Sequence, residues 1–207
     1  MSLVSTTTIP DGGTPSTAIS TIGATIIVVV VGGDLRTSPV TDSQLNTWIS
    51  LTYKNGAFNG GCQIHYVLNP LTSATHTFST PGGTDLSGVV MAFDSNNFSY
   101  DQESGVANGS SGSSPGAITP SKNNSILVTG IGGNVLSTPA TVSGFGVAGQ
   151  VGSVGGVNWG CAGAYLEQAV AASVNPVWGW NGNASGVVMA SFIPNNSRKQ
   201  LAALGVG

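Results

Sequence analysis

The sequence predicts an all-β chain: a single two-sheet β-sandwich of jelly-roll type, built from two similar halves. Three observations carry this expectation. First, runs of β-branched and aromatic residues bounded by Gly, Pro and Asn recur along the chain, with no alternation of strand-like and helix-like stretches. Second, the chain repeats itself at a nearly constant step. Thr14-Pro15 returns as Ser114-Pro115, TIIVVVVGGD at 25–34 as SILVTGIGGN at 125–134, and Cys62 with Tyr66 as Cys161 with Tyr165. Asn69-Pro70 returns as Asn175-Pro176, and SGVVMA at 87–92 comes back letter for letter at 185–190. Third, 207 residues suit one large β domain. Each copy holds about five strands, fewer than the roughly seven of an immunoglobulin-like domain. Two half-folds sharing one sandwich match the jelly roll, which joins two Greek keys.

The elements follow in order. Residues 1–13 read as an amino-terminal arm and 14–194 as the sandwich. The half-repeats span 14–93 and 114–193, and a crossover loop at 94–113 joins them. The segment 195–207, with Arg198-Lys199 and then LAALGVG, reads as a tail ordered against a neighbour. The β-branched run at 25–31 reads as a strand covered on both faces. TWISLTY at 47–53 reads as a strand ending in the turn signal Lys54-Asn55-Gly56. At 61–68, Cys62, Ile64, Tyr66 and Leu68 alternate with Gln63, His65 and Val67 until Asn69-Pro70 stops the strand. Strands at 75–79 and 88–93 complete the first copy. SGVANGSSGSSPG at 104–116 has the composition of a flexible connection. Beyond it, strands are expected at 125–131, 141–148, 162–169, 176–180 and 186–193, with a short helix as the alternative at 168–172.

Composition bounds the function. Only 6% of residues are charged, against about a quarter in a typical soluble domain, while 40% are hydrophobic. A surface of Ser, Thr, Asn and Gly packs against neighbours without burying unpaired ions, which points to an assembled protein and a homo-oligomer. Five basic residues and a net charge of −3 do not make a phosphate-binding stripe, so no nucleic acid is expected. The longest apolar run, 24–31, is too short for a membrane helix, and MSLVSTTTIPDGG has no leader pattern. Membrane insertion is therefore not expected either. Cys62 and Cys161 occupy equivalent places, as two buried thiols or as a bridge between the halves.

Chemistry is hard to assemble from these residues. No nucleophile elbow surrounds a serine, and His65 and His76 sit in strand-like stretches as packing residues. In the repeat, His76 aligns with Trp178 and Phe78 with Trp180. Seven acids, among them Asp42, Asp94, Asp101 and Glu103, read as turn residues that cap their own backbone. Glu167 alone falls in a strand, without an acidic partner for glycoside cleavage. Asp42, Gln44 and Asn46 offer alternate oxygens but lack the Gly and terminal Glu of a calcium loop, and no metal or cofactor is expected. One binding idea survives. Trp178 and Trp180 on one strand face, with the loop at Asn96, are the candidate ligand-binding residues, as rings that stack on a sugar.

TAISTIGATIIVVVV, TDSQLNTWISLTY, HYVLNP and THTF, with the later NPVWGWN and SGVVMASFIP, resemble a β-sandwich domain of bacterial and tailed-phage structural proteins. The resemblance spans about 14–194 and rests on strand cores and turns. It implies a non-enzymatic virion protein assembled in the host cytoplasm, a capsid decoration or tail-associated component. Its partner would be a major capsid or tail protein. The alternative is a glycan- or host-surface-binding module at an extracellular surface.

Overall fold

A computed structural model describes residues 2–33, 40–55, 60–81, 85–94, 97–107, 112–152 and 159–195, excluding the side chains of 134–139, 159 and 181–185. The chain is all-β, with no helix among the described residues, 168–172 included. It forms two large antiparallel sheets and a two-stranded ribbon.

The first sheet takes β1 (Ser2–Ile9), β2 (Ile26–Gly33), β4 (Ile49–Ser50), β5 (Lys54–Asn55), β6 (Gly61–Leu68) and β8 (Leu86–Asp94). Their order is β1-β8-β2-β6-β4, with β5 also on β6. The ribbon pairs β3 (Thr41–Asp42) with β7 (Phe78–Ser79). The second sheet takes β9 (Phe98–Ala107), β10 (Ser125–Val142), β11 (Gly146–Val151), β12 (Trp159–Gln168) and β13 (Trp178–Pro194), in the order β11-β12-β10-β13-β9. Each sheet therefore draws on one half of the chain. The jelly-roll expectation, in which each half threads both sheets, differs from this strand order.

Antiparallel pairing explains how each half closes on itself. β1, β2 and β4 run one way and β6 and β8 the other, so the connections β1–β2, β2–β4 and β6–β8 must each pass over a neighbouring strand. They cross the outer face. There Ile27, Val29, Val31, Val67, Val90 and Ala92 of the sheet pack with Val40 and with Phe78 of the ribbon, with Ile19 and Trp48 against them. The opposite face joins the second sheet through Ile26, Val28, Val30, Ile64, Met91 and Phe93, against Ile126, Val128, Ala190 and Phe192. β2 is thus buried on both faces, which is why it reads as an unbroken apolar run.

The halves are related by a pseudo-two-fold axis between the sheets. Equivalent rings meet in equivalent ways: Tyr66 packs edge-on to Phe192 at 5.2 Å and 66°, and Tyr165 to Phe93 at 5.4 Å and 67°. Gly32 and Gly132 face each other so closely that a Cβ on either would lie 2.7 Å from the other's Cα. The edge strands match too. β1 skips Val4 in its pairing with β8, and β9 skips Asp101 in its pairing with β13, a bulge at the same step.

Three readings of the sequence change. Residues 2–9 are an edge strand and not an arm, and most of the expected loop at 94–113 is the strand β9. Asp101 and Glu103 therefore belong to a strand. SGVVMA, identical in both copies, does not superpose. Val30 pairs with Val89 and its counterpart Gly130 with Val188, so the equivalent of Val89 is Val188 and not Val187. A register shift beside Gly132 leaves Ser185 out of the ladder. Because side chains alternate, this single step sends the two identical hexapeptides to opposite faces. Met91 lies between the sheets, whereas Met189 lies on the outer face with Ile118 and Leu127.

Both cysteines are free and fully buried near the axis, opposite Gly32 and Gly132 in their ladders. Burial pushes both thiols well up, and for Cys62 the neighbouring Cys161 adds to this. Thiolate is the reactive form. An aromatic disulfide reagent is therefore expected to find no reactive thiol in the native chain and two in denaturant; rapid native labelling would contradict the burial.

Candidate functional site

Where the two halves match, they carry core and turn residues; where they differ, the first half carries a buried polar cluster. The cluster forms where its three crossovers meet. Thr21 lies on the first crossover, Asp42 on the second and His76 on the third, and all three are buried. His76 Nδ1 lies 2.9 Å from Thr21 Oγ1, and its Nε2 lies 2.9 Å from Asp42 Oδ1. The same carboxylate oxygen accepts the Gln44 N–H at 2.8 Å and Asn46 Nδ2 at 3.1 Å, and Oδ2 accepts Trp48 Nε1 at 2.7 Å. His76 also stacks on Phe78 at 4.3 Å. Burial pushes the Asp42 carboxyl up, but the hydrogen bonds from His76, Gln44 and Trp48 outweigh it and hold the group below its ordinary value.

Hydroxyl, imidazole and carboxylate stand here in the order of a nucleophile relay. Thr21, however, is fully buried, and its oxygen also accepts the Ser73 N–H at 3.2 Å. No face of that hydroxyl is open to a substrate. What the cluster does is clasp three crossovers together, and it shapes the loop after Asp42. Leu45 there adopts φ 58, the left-handed region, and is 88% exposed. Such a backbone costs a leucine on the order of 1–2 kcal/mol and persists only where neighbours enforce it. The enforcement is visible: Asn46 donates to Asp42, while its side-chain amide exchanges two hydrogen bonds with the backbone of Leu71, at 2.7 and 3.1 Å. Leu71 is itself 64% exposed.

A second histidine lies under the same layer. His65 alternates with the inward Ile64 and Tyr66 and so points to the outer face, fully buried. Its Nδ1 meets Ser50 Oγ at 2.9 Å, and its Nε2 meets no hydrogen-bonding group among the described residues. Burial alone lowers its pKa to about 4. The unfolded chain binds that proton near pH 6.5, so between these values it holds more protons than the folded chain. Stability is then complete above about pH 6.5 and falls as pH is lowered toward about 4, by roughly 3 kcal/mol in all. Urea unfolding across this range should show the slope in the native chain and lose it in His65→Gln; an unchanged slope in the variant would refute the assignment.

The second half replaces these groups with apolar ones. Ile19 bridges His76, and Ile118 bridges Val174, so Val174 stands where His76 does. Asp42 pairs with Phe78 as Val142 pairs with Trp178, and Val29 pairs with His65 as Thr129 pairs with Ala164. Phe78 and Trp178 are therefore the counterparts, two residues away from the alignment of His76 with Trp178 that the sequence invited. A comparison of the copies at the correct offsets would have found the cluster, because three polar positions, His76, Asp42 and His65, turn apolar together.

The residues singled out from the sequence sit elsewhere. Trp178 is fully buried and donates its Nε1–H to Thr129 Oγ1 at 3.1 Å; Trp180 is 5% exposed in the same outer-face core. A buried ring has no face to offer a sugar. Asn96 lies outside the described residues. Among the described residues no group of three or more His, Cys, Asp or Glu is placed to hold a metal ion, and no helix is long and apolar enough to cross a membrane. No known family model matches the chain, and no significant match to it was found among curated proteins or among solved structures.

Proposed function

We propose that this chain is a non-enzymatic structural protein of a tailed-phage particle, a capsid decoration or tail-associated component that acts through protein–protein contacts. The observation that carries the contact role is Leu45, an apolar side chain held almost wholly in solvent by a strained backbone and a buried carboxylate. Strain of this kind collects at functional positions, and an exposed leucine on a nearly uncharged surface suits a protein partner better than a substrate. The Thr21–His76–Asp42 cluster supports the same reading, since its groups bond to one another and to neighbouring loop residues. The phage setting rests on the sequence resemblance, with a major capsid or tail protein as partner and assembly in the host cytoplasm. Trp178 and Trp180 lend the glycan-binding alternative no support.

Sedimentation of intact phage particles mixed with the purified protein tests the proposal. The protein should pellet with the particles at a fixed ratio, and Leu45→Asp should lower that ratio several-fold while the fold survives. A protein that stays in the supernatant at every particle concentration would remove the proposal.

A further inference from the structure

We propose that acid releases the outer layer of the first sheet, the segments 14–22, 41–50 and 70–80, while the equivalent layer of the second sheet stays in place. The inference rests on the contrast between the two layers. In the first, His65 lies beneath the covering segments with an Nε2 that meets no partner among the described residues, and the edge strand beside it, β4, pairs over two residues only. In the second, the same place is Ala164, and the edge strand β11 runs over six residues.

A proton on His65 creates a charge that no group among the described residues compensates. From β4 it faces Ser50 and from β2 Val29, and among the described residues no charged side chain acts on it. The titratable groups on the covering segments are Asp42, His76 and, along the edge, Tyr53 and Lys54; Asp11 begins the first crossover. Asp42 and His76 are bound to each other across the layer, with the carboxylate held below its ordinary value by its hydrogen-bond donors. Opening the layer to water relieves His65, because it breaks the two-residue β4 contact and the ribbon while β1, β8, β2, β6, the second sheet and the core between the sheets remain. Protonation begins to favour the open form below about pH 6.5 and does so in full near pH 4.

The two halves provide matched reporters. The amide N–H groups of Ile19, Ser43 and His76 bond across the first layer to His76, Thr77 and Ile19; those of Ile118, Ser143 and Val174 bond across the second to Val174, Val177 and Ile118. Hydrogen exchange of the full chain at about pH 7 and about pH 4.5, corrected for intrinsic rates, should show the first set losing protection by roughly 50-fold or more relative to the second. His65→Ala, which installs the residue of the other half, should abolish the difference; His65→Gln, which keeps a partner for Ser50, should do the same if the alanine variant fails to fold. Equal loss in both layers, no loss in the first, or an unchanged response in the folded variant would each overturn the proposal.

Discussion

Asp42→Ala is expected to lower the unfolding free energy by about 3–5 kcal/mol, since it takes a buried carboxylate away from several hydrogen-bond donors at once. The side chain is buried, and its two oxygens serve Gln44, Asn46, Trp48 and His76 at once. Truncation strands donors on all four, and each buried donor left without an acceptor costs on the order of 1–3 kcal/mol. Urea unfolding measures the loss as a lowered midpoint at unchanged slope. Asp42→Asn should fall between, since its amide keeps one acceptor but turns a donor toward a donor. Replacing Asp42 and His76 together by valine, as at Val142 and Val174, should cost less than Asp42→Ala alone, because it removes the charge with its partner. A loss below about 1 kcal/mol for Asp42→Ala would show that solvent reaches these donors and that the clasp does not hold the crossovers.

The second large effect is expected where the sheets touch. A Cβ on Gly132 would lie 2.1 Å from the carbonyl oxygen of Gly61 and 2.7 Å from Gly32 Cα. Both neighbours are backbone, so no side chain can turn aside, and the sheets must part. Gly132→Ala should therefore cost about 3 kcal/mol or more, the upper end for overpacking. Gly130→Ala meets a side chain instead, with its Cβ 2.1 Å from Val30 Cγ1. That variant should cost about 2 kcal/mol, and Val30→Ala a similar amount through the cavity it leaves. Together the two should cost at least 1 kcal/mol less than their sum, about the size expected for residues in contact. Additivity within about 0.5 kcal/mol would mean that Val30 does not fill the space above Gly130.

How much of this was legible follows from what each residue reports. β2 announced itself because burial on both faces leaves an unbroken apolar run, and the repeat announced two related halves. β9 did not. Its FSYDQESGVA carries two acids because it is an edge strand, where charge protects an open ladder, and the same letters describe a loop. The assignment of halves to sheets was also hidden. Crossovers over a sheet's own face and crossovers to a facing sheet use similar lengths of Gly, Ser and Thr. The clasp was missed for a different reason. Asp42 was read as a turn residue capping its backbone, which is part of what it does, and nothing local shows that His76 and Thr21 converge on it. The alignment that would have isolated them was displaced by two residues at His76 and by one at SGVVMA, where letter identity outvoted the geometry of a bulge.

The fit between Val30 and Gly130 also governs which surfaces the chain accepts. The first half comes off the ribosome ahead of the second, with one face of its sheet still uncovered. Another molecule's first half is then the nearest surface of similar shape. Two such sheets brought together along the same axis would set Val30 against Val30, where the native pair needs glycine on one side. Two second halves would leave Gly130 facing Gly130 across a void. Only the unlike pair closes, so a first sheet accepts a second half and turns away another first.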